Sequence, residues 1–296
     1  SASRDEYDGY RHHSSSERSN INANFGFDIS ENVNNRTYVN VSDNYFEIPF
    51  VVPKARALQD PQLILGDGET PLDKLFNIYN RKPHRDSQLN RVANKTRISQ
   101  GNALHEIGIY AQELEDTFTD PLKHNVTNSR DIGMEYAFNI SGDFLTQHDD
   151  FLVSLSFNQS DMERDYHANN PANGQKLPMF GSLALDANNT VLAVQWQAQT
   201  SENVQIVPAV QWVENNRDIE DNLATLSSQT NQYAEVNPKI GVNYQLSDDT
   251  RVYANLSKTA EAPTYWELVS ANVNPKDPQQ ASVKLNELDV QTSVTL

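Results

Sequence analysis

Cysteine is absent from the 296 residues of this chain. Its absence excludes disulfide bonds, thiolate metal sites and cysteine nucleophiles, and with them a small disulfide-stapled secreted fold. No run approaches the roughly 18 consecutive apolar residues that a transmembrane helix needs. The hydrophobic fraction of 37% and mean hydropathy of -0.67 are low for one large buried core. A membrane β-barrel stays open, because only every second residue of its strands must be apolar.

Basic residues and catalytic motifs are also scarce. There are 23 Lys and Arg against 40 Asp and Glu, which gives a formal net charge of -17. This balance argues against a nucleic-acid partner, since phosphate contacts need clustered basic residues. None of the motifs GxSxG, HExxH, GxGxxG or the P-loop occurs. We therefore expect neither an enzyme nor a bound cofactor.

What the sequence does contain is strict alternation of apolar and polar residues. In 240–246, Ile240, Val242 and Tyr244 alternate with polar or small residues, which predicts a strand with one apolar face. A polar turn at 247–249 joins it to a second such strand. We predict about eleven strands, at 20–29, 33–47, 88–98, 106–111, 131–140, 151–157, 192–199, 204–212, 240–246, 251–257 and 287–296.

The connections between these strands alternate in length. Short turns lie near residues 31, 101, 144, 202 and 248, whereas long polar loops are predicted at 48–87, 119–127, 161–188, 218–232 and 260–284. Short periplasmic turns and long extracellular loops are typical of an outer-membrane barrel. We expect residues 1–17 to be a loop, Lys54 to Leu58 to be helical, and Pro208 and Pro238 to mark bulges.

Two segments carry a resemblance to a known family. The first is Ser247-Asp248-Asp249-Thr250-Arg251-Val252-Tyr253-Ala254-Asn255-Leu256-Ser257, followed by Glu261-Ala262-Pro263-Thr264 and Glu267-Leu268. The second is Asp8-Gly9-Tyr10-Arg11 with Ser14, then Asn22-Ala23-Asn24-Phe25-Gly26-Phe27, Arg36-Thr37-Tyr38 and Glu47-Ile48-Pro49. Together they resemble the barrel of TonB-dependent outer-membrane receptors of the siderophore type.

The resemblance implies an all-β, antiparallel, up-and-down transmembrane β-barrel, with roughly half of 22 strands present. Residues 1–296 would be a partial barrel domain, with the plug domain and the C-terminal strands absent. The implied function is energised uptake of a scarce solute such as a ferric siderophore in the outer membrane of a Gram-negative bacterium. The implied partners are that ligand, the TonB energy-coupling protein acting through the absent plug, outer-membrane lipid and lipopolysaccharide. An adhesin-like surface protein without transport is the alternative.

Two groups of residues are candidates for ligand binding. The densest basic cluster includes Tyr79, Arg81, Lys82, His84 and Arg85, and facing outward it could attract an anionic ferric chelate. An ordinary solvated loop, or a contact with lipopolysaccharide, is the alternative for this cluster. A second group, in the loop 260–284, can stack on a ligand or pack within the loop: Tyr265 and Trp266. No metal site is predicted, because adjacent histidines such as His12 and His13 point apart on an extended segment.

Overall fold

The computed structural model describes residues 1–296, which are built almost entirely from β-strands. The strands are β1 (Ala2–Tyr7), β2 (Ser16–Ser30), β3 (Val33–Glu47), β4 (His84–Gln100), β5 (Ala103–Thr119), β6 (Lys123–Gly142), β7 (Asp149–Asn169), β8 (Lys176–Ser201), β9 (Val204–Asp221), β10 (Gln229–Ser247), β11 (Thr250–Glu261), β12 (Val269–Asn274), β13 (Asp277–Leu285) and β14 (Gln291–Thr295). Twelve of them form one open sheet in chain order, from β1 through β11 to β14. Every neighbouring pair in this sheet is antiparallel, which confirms the predicted up-and-down topology.

The register of the sheet collects the apolar residues on one face. One row runs from Tyr136 through Leu155 and Leu192 to Trp212. Directly opposite residues of an antiparallel pair share a face, so such rows join into a continuous apolar face. Leu192 and Trp212 are 40% and 37% exposed, which leaves this face without a protein partner. The alternate residues form the opposite, polar face.

The strand count differs from the prediction at both ends of the chain. β1 lies within 1–17, which was expected to be a loop, and the β12–β13 hairpin occupies 269–285, almost all of it inside the predicted loop 260–284. The last strand is also shorter than the predicted 287–296, since β14 covers only Gln291–Thr295. The chain therefore has fourteen strands, of which twelve belong to the large sheet.

Three predicted polar loops are mostly strand. The loop expected at 161–188 shrinks to 170–175, because β7 and β8 continue past the apolar band to lengths of 21 and 26 residues. The loops expected at 119–127 and 218–232 shrink in the same way, to 120–122 and 222–228. In β8 the apolar positions change face above the apolar band, from Leu192 on the outer face to Leu183 and Leu185 on the inner face, so no single alternation marks the whole strand although the backbone hydrogen bonds continue. The expected bulges at Pro208 and Pro238 are also wrong, since β9 and β10 pair through both prolines without a register shift.

Two genuinely long loops remain at one end of the sheet, which we call the rim. The β3–β4 loop (48–83) contains α1 (Lys54–Gln59), α2 (Pro71–Leu75) and α3 (Ile78–Arg81), and α1 confirms the predicted helical turn. It packs on its own small core of Ile64, Leu65 and Ile78. No helix of the chain is both long and apolar enough to cross a membrane.

The second long loop, the β11–β14 loop (262–290), contains α4 (Tyr265–Leu268) and the β12–β13 hairpin. It folds onto the polar face of β7, β8 and β9. Its residues join a buried cluster with residues of those strands: Tyr166, Leu183, Leu185, Ala187, Ile219, Tyr265, Leu268 and Val269. Leu183 and Leu185 alternate with the outward apolar positions of β8, so the loop covers the inner side of this wall.

Candidate functional site

The predicted basic cluster lies at the rim, where the β3–β4 loop ends and β4 begins. α3 is capped by the side chain of Asn77, which accepts a hydrogen bond from the backbone N–H of Asn80 at 3.0 Å. The helix ends at Lys82, whose positive φ of 47° turns the chain into β4 at His84. The cluster is therefore divided between a helix, a left-handed turn and a strand, and its side chains point in different directions.

Arg81 does not face outward as the sequence suggested. It is 2% exposed, and burial lowers the pKa of its guanidinium. Nε donates to the carbonyl of Leu75 at 3.0 Å, and Nη1 donates to the carbonyl of Pro121 at 2.5 Å. The Asn169 side chain donates to the Arg81 carbonyl at 2.8 Å. Arg81 thus links the β3–β4 loop, the β5–β6 turn and the β7–β8 tip. Its guanidinium is directed at backbone carbonyls and is not available to a ligand.

Lys82 and Arg85 remain the accessible basic side chains of the cluster. Arg85 forms an ion pair with Asp116 at 2.7 Å and keeps 44% of its side chain exposed. His84 turns back, since its Nδ1 lies 2.7 Å from the carbonyl oxygen of Lys82. The side chain of Lys82 has no such partner, so it is the freest positive charge of the cluster.

Arg85 also lines a recess near the rim, with a volume of about 760 Å³. Its walls come from β1 to β4 and include the charged residues Asp5, Glu17 and Arg18. Two basic and two acidic side chains balance each other there, while Tyr7, Tyr45 and Phe46 add aromatic surface. The recess offers a mixed polar and aromatic surface for a ligand rather than a strongly positive one.

Tyr265 and Trp266 follow each other in α4 but have different environments. Tyr265 is 8% exposed, and its hydroxyl donates to the carbonyls of Asp186 and Asp218, the latter at 3.3 Å. Burial raises its pKa. Trp266 is 59% exposed and stacks over the guanidinium of Arg164 at 4.4 Å. Only Trp266 can therefore meet a ligand, since Tyr265 anchors the loop to the sheet.

Sequence reasoning missed a second basic surface, which lies on the polar face of the sheet. Four basic residues lie together on the polar face of β3 and β4: Arg36, Arg91, Lys95 and Arg97. We call them the basic column. Lys95 and Arg97 share Glu106 at 2.8 and 3.1 Å, and Arg91 lies 4.7 Å from the ring centroid of Tyr110. The signal was present, because residues 91, 95 and 97 have the same parity along β4.

No group of three or more histidines, cysteines or carboxylates converges in a way that suits a metal ion. His13 lies against Glu47 at 3.2 Å and the carbonyl of Pro83 at 2.8 Å, whereas His12 turns toward Asp67. The two adjacent histidines do point apart.

The sheet, its two faces and its rim can now be compared with known families. A profile of the family described as TonB dependent receptor-like, beta-barrel matches residues 2–295. The chain belongs to this family. The resemblance inferred from the sequence is thereby confirmed over the whole chain, and the open sheet is part of a TonB-dependent receptor barrel. The family is an outer-membrane family of Gram-negative bacteria, and in its barrels the polar face lines the lumen.

Solved structures share this fold at low identity. The unliganded ferric citrate transporter FecA superposes with a TM-score of 0.74 and 12% identity, over 87% of this chain and 38% of that one. The alcaligin receptor FauA from Bordetella pertussis gives 0.65 and 9%, over 88% and 38%. The ferric yersiniabactin receptor FyuA from Yersinia pestis gives 0.64 and 12%, over 99% and 45%. The chain thus spans less than half the length of each of these receptors. No curated protein sequence matches the chain.

Proposed function

We propose that this TonB-dependent receptor barrel belongs to an outer-membrane protein that takes up a ferric siderophore or a similar metal chelate. The proposal rests on the family match over residues 2–295, and the sheet of that segment has the apolar and the polar face that such a barrel needs. The structures it resembles include receptors for ferric citrate, alcaligin and ferric yersiniabactin. The proposal assigns no catalytic activity and no nucleic-acid partner to the chain.

The distribution of charge supports an anionic ligand. The chain has a net charge of -17, yet its basic column faces the lumen and Lys82 stands free at the rim. Positive groups along a lined passage attract an anionic chelate by focusing the electric field toward it. Arg91, stacked on Tyr110, also presents a flat cation to aromatic or carboxylate groups of a ligand.

The proposal includes further parts of the receptor. Residues 1–296 are a partial barrel domain, and a plug domain and additional strands lie elsewhere in the full-length protein. The TonB energy-coupling protein acts through that plug, and the apolar face contacts outer-membrane lipid and lipopolysaccharide. This arrangement agrees with the comparisons, in which the chain covers only 38% to 45% of FecA, FauA and FyuA.

Uptake of radioactive iron by intact cells tests the proposal. A strain deleted for the gene is supplied with a panel of ferric chelates, and we expect uptake of at least one of them to be lost and restored by the gene. Uptake should also stop in a strain without the energy-coupling protein. Binding that persists without any energy-dependent accumulation would instead favour the adhesin-like alternative.

Two variants localise the effect to the polar face. Replacing Arg91 and Lys95 by Gln removes half of the basic column and should slow uptake. Arg130→Gln is the matched control, because Arg130 lies on the opposite face, 80% exposed and paired with Glu113 at 3.1 Å. Equal rates for the two variants would contradict the assignment of the polar face to the passage of the ligand.

A further inference from the structure

Three side chains from separate parts of the rim converge on one point. His12 comes from the β1–β2 connection, Asp67 from the β3–β4 loop and Tyr79 from α3. The Tyr79 hydroxyl donates to Oδ1 of Asp67 at 2.6 Å and lies 3.1 Å from Nδ1 of His12. The same Nδ1 is 3.2 Å from both oxygens of the Asp67 carboxylate. The hydroxyl oxygen of Tyr79, a carboxylate oxygen of Asp67 and Nδ1 of His12 therefore form a small triangle.

The triangle is held by the surrounding backbone. Oδ2 of Asp67 accepts the N–H of Ile64 at 2.7 Å, and Tyr79 follows the fully buried Ile78 in α3. The β1–β2 connection is bound to the loop by Arg11, whose guanidinium donates to the carbonyls of Phe50 at 2.9 Å and Leu63 at 2.8 Å. These fixed points bring His12 to the other two side chains.

We propose that His12, Asp67 and Tyr79 form a site for ferric ion or for an equally hard trivalent cation. A six-coordinate ion with bonds of about 2.1 Å separates neighbouring donors by about 3.0 Å. The separations of 3.1 and 3.2 Å from His12 match the edges of one triangular face of such an octahedron, and the Tyr79–Asp67 separation of 2.6 Å is shorter, because a proton joins those two oxygens. Imidazole, carboxylate and tyrosinate are all ligands that proteins use for iron.

Binding is a simple exchange of ligands. Bonds form from the phenolate oxygen, a carboxylate oxygen and Nδ1 to the metal, three weaker donors leave the metal, and the phenolic proton passes to solvent. No electron is transferred. The protein supplies two negative charges, so the remaining single positive charge and three open positions suit anionic oxygen donors of a chelate. The site is open to solvent through His12 and Tyr79, whose side chain and residue are 51% and 45% exposed, while Asp67 forms its buried floor.

This inference goes beyond uptake, because the site can bind iron whether or not a chelate crosses the barrel. The intact receptor in detergent is titrated with Fe³⁺ supplied as its nitrilotriacetate chelate. We expect one ion per chain at this site and the visible charge-transfer absorption that ferric phenolates show. Tyr79→Phe should abolish that absorption and weaken binding by more than about 10-fold, a loss that even outer-shell partners of metal sites produce. The wild type should also release one more proton per ion than Tyr79→Phe.

Two matched controls separate the site from its surroundings. Tyr10→Phe removes an exposed tyrosine of the same connection, 66% exposed. His148→Ala removes a histidine near Asp143 and Asp150, at 3.7 and 3.8 Å, where no phenol is present. Both variants should keep the absorption and the affinity.

The proposal is wrong if the wild type gives no charge-transfer absorption, or if the absorption survives Tyr79→Phe. Phe keeps the ring in place, and His12→Ala provides a second variant at an exposed position should Tyr79→Phe fail to fold. His12→Ala should weaken iron binding while the phenolate absorption is retained or shifted. Iron binding by the pure protein without cellular uptake would overturn the proposed transport function alone, whereas uptake without the absorption would overturn this site alone.

Discussion

The assignment of the apolar face to lipid is tested most sharply on β8. Val194 lies in the row Phe138, Val153, Val194 and Val210, midway along the apolar band, and is 41% exposed. Its neighbour Gln195 points to the opposite face. Arg near the bilayer midplane costs about 2 to 4 kcal/mol on the lipid face of a barrel. Val194→Arg should therefore reduce the folding equilibrium constant roughly 30- to 700-fold.

The measurement is a urea titration of the full-length receptor refolded into lipid vesicles, followed by the mobility shift of the folded barrel. Gln195→Arg is the control, because it adds the same side chain at the same depth on the polar face, and it should cost far less. Val252→Arg gives a second depth on the same face, because Val252 lies three residues after Asp249 of the 248–249 turn, near the membrane interface, where the cost falls to about 0 to 1 kcal/mol. Equal losses for Val194→Arg and Gln195→Arg would refute the assignment of the two faces.

Two further predictions concern the rim. Arg81→Leu leaves two carbonyls unpaired, so local opening of the β3–β4 loop and the β5–β6 turn should become easier by about 1 to 3 kcal/mol per carbonyl. Hydrogen exchange measures this, and Lys82→Leu at the exposed neighbour should leave exchange unchanged. Replacing Lys82 and Arg85 by Ser should slow association of an anionic ferric chelate at low salt, and much less near 1 M salt, where screening acts within about 3 Å. An unchanged association rate at low salt would show that Lys82 and Arg85 are ordinary solvated charges without a role in attracting the chelate.

The transmembrane part of the sheet could be predicted from the sequence because lipid imposes a rule on every second residue. Leu155 and Leu192 alternate with polar neighbours, and the structure pairs them in one row. Above the apolar band that rule ends. Asp161 and Asp186 pair as regularly as the leucines do and lie on the same outward face, whereas the apolar residues Leu183 and Leu185 of β8 lie on the inner face, beneath the β11–β14 loop. The sequence there resembles a polar loop, so the long walls of β7 and β8 could not be predicted.

The candidate site was harder to predict, because its geometry depends on contacts distant in sequence. The basic cluster was found from composition alone, which cannot tell a charge that faces water from one that binds carbonyls. Arg81 donates to Pro121, 40 residues away, and its own carbonyl accepts from Asn169, 88 residues away. His12 and Asp67 are likewise 55 residues apart. Such pairs follow only from the sheet register, which brings the rim connections together.

The inward fold of the β11–β14 loop shows how one small residue decides which surfaces a ligand can reach. A Cβ at Gly181 of β8 would lie 2.3 Å from the Val283 side chain of β13, a distance that no real contact allows. Glycine at this position therefore lets the hairpin approach the wall closely enough to bury Leu268 and Val269 against β8. Because the hairpin covers the inner side of that wall, Tyr265 is buried beneath the loop, while Trp266 stacks over Arg164 and stays exposed to solvent. Which of the two aromatic side chains of α4 a ligand can reach thus depends on a strand glycine, which lies in a segment whose sequence predicts a loop.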